Sequence, residues 1–316
     1  MLSPHPISST ATSASIAAKA IPSDVLAAIR AVTGDLPQID LAYEADIRTL
    51  WILLHPEPKP VFTLPCIASV RKVQHAIMRL WSDAPDCPVK FLAYQGRGPV
   101  FSLGGDLDFY LDCLATNNRA GLVEYSKFAT DVIALNSSGL KGLTLTLAAI
   151  HGKALGGGID PARACNVLAA EENATFSYPE INYNHFPISA VPILARHAGL
   201  IQAERILTSG REYTAHEFME CGVVDAVVPD GGGGAWIRDY ARRTLPTHAA
   251  RSILVAAFNR RAGDLAAELA ESADSWVNHF MRLKPVEIAK LQRIAQLQER
   301  MLVRLMRDEA PSTNPA

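Results

Sequence analysis

Two carboxylates and two glycine turns are the groups in this chain whose types and spacing could do chemistry together. Glu180 lies in the turn SYPEIN, and Asp160 stands twenty positions before it, just past Gly156, Gly157 and Gly158. Glycines between a strand and a helix let backbone N–H groups approach a ligand with no Cβ in the way. A helix start at such a turn also points the positive end of its dipole at the ligand. A second turn of this kind, GPVFSLGGDL, places Gly104 and Gly105 upstream. One amide from each turn could grip a single thioester oxygen, and two carboxylates beside it suit proton transfer next to the carbonyl. The alternative for each turn is a tight bend that holds no ligand.

The segments that would position these turns alternate between strand and helix character. Residues 143–150 form an apolar strand leading to the three glycines, and residues 161–165 are compatible with a short helix. Residues 89–94 are the strand before the upstream turn, whose helix carries Leu107, Phe109, Tyr110, Leu111 and Leu114. Residues 24–32, 68–80 and 122–135 read as helices, and residues 41–54 as one or two strands. Downstream, residues 167–170, 174–178 and 223–228 read as strands. Thr214 and Glu217 make a capping box for a short helix that Gly222 ends. The run Gly231 to Gly234 marks a boundary between a core over 24–234 and a helical region over 235–316, with breaks near Gly263 and Lys284-Pro285.

Composition narrows the function classes. The chain is 49% hydrophobic and 20% charged, an ordinary globular balance, and its net charge of −2 argues against nucleic acid as the main partner. No apolar run reaches the ~18 residues of a spanning helix, so no membrane role is expected. Residues 1–23 are rich in Ser, Thr, Ala and Pro, with Lys19 alone basic among the Lys and Arg positions. Secretory and transit signals both need more positive charge, so a disordered tail and a cytoplasmic protein are expected. The five cysteines are widely spaced with no CxxC, which favours buried thiols over disulfides. The nine histidines include no HExxH, and no G-x-S-x-G elbow occurs, so neither a metal site nor a serine triad is expected.

The segments VFSLGGDL, HGKALGGGID, YPEIN and LTSGREYTAHEFMECGVVDAVVP together resemble the crotonase (enoyl-CoA hydratase/isomerase) superfamily, over roughly residues 41–307. Within it, LGGDLDFYLDCL and the carboxy-terminal LQRIAQLQERMLVRL are most similar to the diffusible signal factor synthases of bacteria. The resemblance implies an α/β fold, a spiral of repeated ββα units with a C-terminal helical oligomerisation region that builds trimers or dimers of trimers. It implies oxyanion donors at the amides of Gly105 and Gly157, with Leu103, Gly104, Gly156, Pro187 and Ile188 around the substrate. Glu180 and Asp160 fall on the two catalytic carboxylates. The implied substrate is a medium- or long-chain 3-hydroxyacyl or enoyl thioester, carried on CoA or on acyl carrier protein phosphopantetheine, with no other cofactor. The implied reaction is dehydration to a cis-2-unsaturated thioester and then hydrolysis, in quorum sensing. The alternatives are a hydratase or isomerase of a CoA ester, and a degenerate relative that binds a thioester or a protein without turnover.

Several residues depart from that pattern. Asp160 replaces the usual Glu and is followed by Pro161, which favours the first helical position. Asp160 is therefore either a catalytic carboxylate or the N-cap of the helix that follows. Pro187 keeps the proline of the family's Pro-Gly pair, but Ile188 and Ser189 follow it in place of the glycine that lets a helix amide face the reactive water, which narrows the pocket and disfavours water addition. His185 reads as structural rather than as a base. Lys290, Arg293, Arg300, Arg304 and Arg307 share one stripe of the last helix, either a landing strip for phosphates or an acidic carrier protein, or a solvated face.

Overall fold

Apolar runs rich in Leu, Ile and aromatic residues become strands buried on both faces, as a sheet covered by helices on each side requires. The computed structural model describes residues 24–308, and the tail expected over 1–23 lies outside the described residues. β1 (Ile39–Glu44) pairs antiparallel with β2 (Thr49–Leu54). β3 (Phe91–Gly96), β4 (Leu145–Ile150), β6 (Val167–Glu171) and β9 (Ala226–Val228) continue the sheet in parallel. The order is β1-β2-β3-β4-β6-β9. Alternate side chains face opposite ways along each strand. Leu92, Tyr94, Ala148 and Ile150 join the main core, whereas Phe91, Ala93, Leu147 and Ala149 join a second one under the helix Gly233–Thr244.

The strand expected over 143–150 starts two residues later, at Leu145, and ends at Ile150 as expected, after which Gly152 bends the chain. Its φ is +56°, and a Cβ there would overlap the carbonyl of Pro99. The chain then forms β5 (Lys153–Leu155), which leaves the main sheet and pairs with β7 (Thr175–Ser177). β8 (Glu212–Thr214) completes this second, three-stranded sheet. β4–β5 and β6–β7 thus both pass from the first sheet to the second, the ββ half of a spiral repeat. The expected strand over 223–228 is only its last three residues.

The expected helix over 68–80 starts earlier, at Leu64, because the Thr63 hydroxyl caps it from Cys66 N and Pro65 begins it. The helix Arg119–Ser137 lies beside it, with Leu265–Phe280 packed on its other side. Gly231–Gly234, the expected boundary, leads into the helix Gly233–Thr244, whose Ile237 and Ala241 cover the outer sheet face. The helix Pro285–Asp308 lies on the core of its own chain. Leu291 and Ala295 are buried, and the Lys59 ammonium bridges Asp108 and Glu299. Among the described residues no helix is long and apolar enough to cross a membrane. All five cysteines are free, four of them buried.

Candidate active site

The two glycine turns pack directly on each other. Leu155 N donates to Ser102 O at 2.9 Å. A Cβ on Gly158 would come 3.0 Å from Gly104 N, and one on Gly104, whose φ is +111°, would meet Leu155 O at 3.2 Å. Only glycine lets the two backbones approach this closely. The Gly105 amide has no acceptor among the described residues, just before the helix Leu107–Ala115 that Asp106 caps. The Gly157 amide donates to Glu180 Oε1 at 3.1 Å, so a carboxylate oxygen occupies one of the two paired turns.

Glu180 sits in the 3-10 turn Pro179–Tyr183 and is 7% exposed. Its Oε2 is buried without a hydrogen-bond partner. Burial, together with the charge of Asp160, raises its pKa to about 8 against the opposing effect of the backbone amides. Space for the carboxylate exists because position 156 is glycine. A Cβ there would overlap Glu180 Oε1, and its φ of +53° disfavours any other residue. We expect Gly156→Ala to displace the carboxylate, lowering turnover on the order of 10²-fold and stability by about 1–3 kcal/mol. Steady-state rates within a factor of about two of wild type would contradict this placement.

Asp160 corrects the capping reading. Its helix, Asp160–Arg163, has Ile159 in the cap position with helical φ/ψ and no side-chain cap bond. The preceding glycines Gly156–Gly158 already form a 3-10 turn that runs straight into the helix, so no extended cap residue is needed. Arg163 N donates to Ile159 O at 2.9 Å and is not free for a carboxylate. The Asp160 carboxylate instead accepts the Tyr178 hydroxyl and the Ser189 hydroxyl, each at 2.7 Å. It is 0% exposed, and burial lifts its pKa to about 6 against those two hydrogen bonds.

A cavity of about 520 Å³ opens at the paired turns. Leu103, Gly104, Gly105, Gly156 and Gly157 line it on one side, and Glu180, Pro187 and Ile188 on another. Asp160 is not on its wall; Pro161 and Ser189 stand there instead. Most of the lining is apolar and deep, including Ile67, Val70, Phe101, Tyr125 and Val132. The last helix closes the mouth with Ile294, Gln298, Met301, Arg300 and Arg304. Gln298 Nε2 donates to Leu103 O at 2.8 Å, which pins that helix to the upstream turn. Arg300 and Arg304 are exposed at the rim and form no salt bridge among the described residues. The side chain of Arg307 lies outside the described ones.

Three lining residues escaped the sequence reading. Tyr110 and Trp276 looked like ordinary apolar positions of helices, and nothing in their spacing separates a cavity wall from a core. Gln298 did leave a signal. It is seven residues after Leu291 and four after Ile294, a polar residue on the apolar stripe, and it is 7% exposed.

Residues 86–271 match the enoyl-CoA hydratase/isomerase family, and the chain belongs to it. The chain is similar to a mevalonyl-coenzyme A hydratase of Beauveria bassiana, 31% identical over 162 residues, which are 50% of this chain and 57% of that protein. A probable enoyl-CoA hydratase of Bacillus subtilis is 28% identical over 146 residues, 46% of this chain and 54% of that protein. The matches span only about half the length of these curated relatives. Among solved structures, an enoyl-CoA hydratase/isomerase from Xanthobacter autotrophicus Py2 superposes with a TM-score of 0.70 at 19% identity, covering 89% of this chain and 100% of that one. An enoyl-CoA hydratase from Bacillus halodurans gives 0.69 at 20% identity, covering 81% of this chain and 99% of that one. These likenesses establish the crotonase fold, with its parallel-rich sheet and helical C-terminal region.

Proposed function

We propose that the protein shifts the double bond of a medium- or long-chain enoyl thioester, using Glu180 as its single proton carrier. The observation that carries this reading is the contrast between the two carboxylates. Glu180 stands on the cavity wall with a free oxygen beside the Gly157 amide, whereas both Asp160 oxygens are engaged behind the wall. The ionised Glu180 would remove a proton from C2 of a 3-enoyl thioester. Charge then moves onto the thioester oxygen at the Gly105 amide, joined by the Gly157 amide once the bound carbonyl displaces Glu180 Oε1 from it, and donors aimed at developing charge contribute most. The double bond reforms between C2 and C3 as protonated Glu180 returns the proton to C4. A carboxyl with a pKa near ambient pH can both accept and return a proton. Water addition would need a second group to hold the water, and Ser189 already donates to Asp160.

The depth and apolar lining of the cavity suit a long acyl chain. Arg300 and Arg304 at the rim suit the phosphates of CoA or of carrier-protein phosphopantetheine, so no resident cofactor is proposed. The same features favour a second reading, dehydration of a 3-hydroxyacyl thioester as in signal factor synthesis, with Glu180 removing the C2 proton and protonating the departing hydroxyl. Incubation with 3-dodecenoyl-CoA and with 3-hydroxydodecanoyl-CoA, followed by mass spectrometry and chromatography, separates the two. We expect 2-dodecenoyl-CoA from the first substrate at the faster rate. A faster reaction of the second substrate would support dehydration, and unchanged substrates would support binding without turnover.

Free thiols fit a reducing cytoplasm as the site of action. We also propose a homotrimer or a dimer of trimers. Ile253, Leu254 and Phe258 are exposed on the helix His248–Ala262, and Leu200 and Ile201 on Leu200–Ser209, more apolar surface than a monomer leaves open without a reason. Light scattering at micromolar concentration should report three or six chains, and a monomer mass would refute this assembly.

A further inference from the structure

Three buried polar atoms that lack hydrogen-bond partners belong to residues lining the cavity: Glu180 Oε2, His185 Nδ1 and Gln298 Oε1. A buried polar group left unpaired is costly, so each marks a place where a ligand can supply the missing partner. His185 is the most informative, because its geometry fixes its tautomer. The Trp276 indole N–H can only donate, and it lies 3.0 Å from His185 Nε2. That nitrogen therefore carries the lone pair, and the ring proton resides on Nδ1. Burial, with His279 adding to it, pushes the pKa of His185 down to about 3, so the ring stays neutral at physiological pH. The result is a fixed N–H donor, on a side chain 7% exposed, with no acceptor among the described residues.

The imidazole packs among aromatic rings, 5.8 Å from the Trp276 ring and 5.0 Å from that of Phe280. The Tyr110 hydroxyl lies over Gly105, where a Cβ would overlap it. The Tyr110 ring is 5.0 Å from the Trp276 ring, and Trp276 in turn contacts His185. Contacts through Tyr110 and Trp276 thus link the Gly105 turn to the imidazole.

We infer that the acyl chain of the substrate carries an oxygen, as a hydroxyl or keto group at C5 or beyond, past the carbons of the double-bond shift, that accepts from His185 Nδ1–H. This rests on the reading of the cavity as an acyl thioester site. Trp276 is then a positioning residue, because its indole N–H holds the proton of His185 on the correct nitrogen.

Calorimetry with saturated thioesters tests this without requiring turnover. The ligands are dodecanoyl-CoA and its hydroxy and keto derivatives at C5 to C8, and the proteins are wild type, His185→Phe and His185→Asn. We expect at least one oxygenated chain to bind wild type roughly 5–50-fold more tightly than the plain chain. His185→Phe should bring that ratio to within a factor of about two. His185→Asn should keep part of the preference, since its amide can accept from Trp276 and still donate. Equal binding of plain and oxygenated chains would overturn the inference and leave the acyl thioester reading standing, as would a preference that survives in His185→Phe. If no thioester binds at all, both fall.

Discussion

Glu180→Gln is expected to lower thioester turnover by roughly 10²–10⁴-fold while leaving the fold intact. The amide can still accept the Gly157 N–H, so the turn keeps its bond, but it can no longer carry a proton. The same substitution should change how stability depends on pH. The folded pKa of about 8 lies above the ordinary value of 4.5, so between the two the folded state holds a proton that the unfolded state releases. Stability is then greatest below the unfolded pKa, falls as pH rises through that interval, and levels off above about 8. Each unit of separation is about 1.4 kcal/mol. Glu180→Gln should remove this contribution, and thermal melts should show the variant gaining on wild type between pH 5 and pH 9. A variant that turns over within a factor of about two of wild type would sink the assignment.

Asp160→Ala is expected to affect mainly stability. It strips the acceptor from two buried hydroxyls, Tyr178 and Ser189, which are 1% and 3% exposed. Each orphaned group costs roughly 1–3 kcal/mol, so the loss should exceed the 0.5–2 kcal/mol typical of a removed helix cap. Asp160→Asn, which retains one acceptor oxygen, should lose less. Turnover of the folded fraction should stay within about tenfold of wild type, because the carboxylate does not reach the cavity. Melting at the wild-type temperature with activity abolished would instead make Asp160 catalytic.

The glycine turns and Glu180 were legible in the sequence because their chemistry leaves little choice. A left-handed φ at Gly104 and Gly156, and the close approach of two backbones, admit no other residue. The direction of the Asp160 side chain was not legible. The residue before a proline is biased toward extended geometry, yet here the helical turn of the three glycines carries it into the helix. What holds its carboxylate, Tyr178 and Ser189, arrives from another turn of the chain. His185 illustrates the same limit. As a lone histidine it reads as structural, and only contact with Trp276, far away in sequence, fixes which nitrogen is free to donate. The expected boundary at Gly231–Gly234 rested on glycine content alone, while burial of Ile237 and Ala241 shows what that helix covers.

The claim that one carboxylate moves one proton from C2 to C4 can be tested with 3-dodecenoyl-CoA deuterated at C2. In light water, a single buried carboxylate that carries the deuteron from one carbon to the other should leave part of the label at C4 of the product 2-enoyl thioester. Mass spectrometry of the isolated product reads this directly. A 3-hydroxy product, or a 2-enoyl product formed at equal rate by Glu180→Gln, would contradict it.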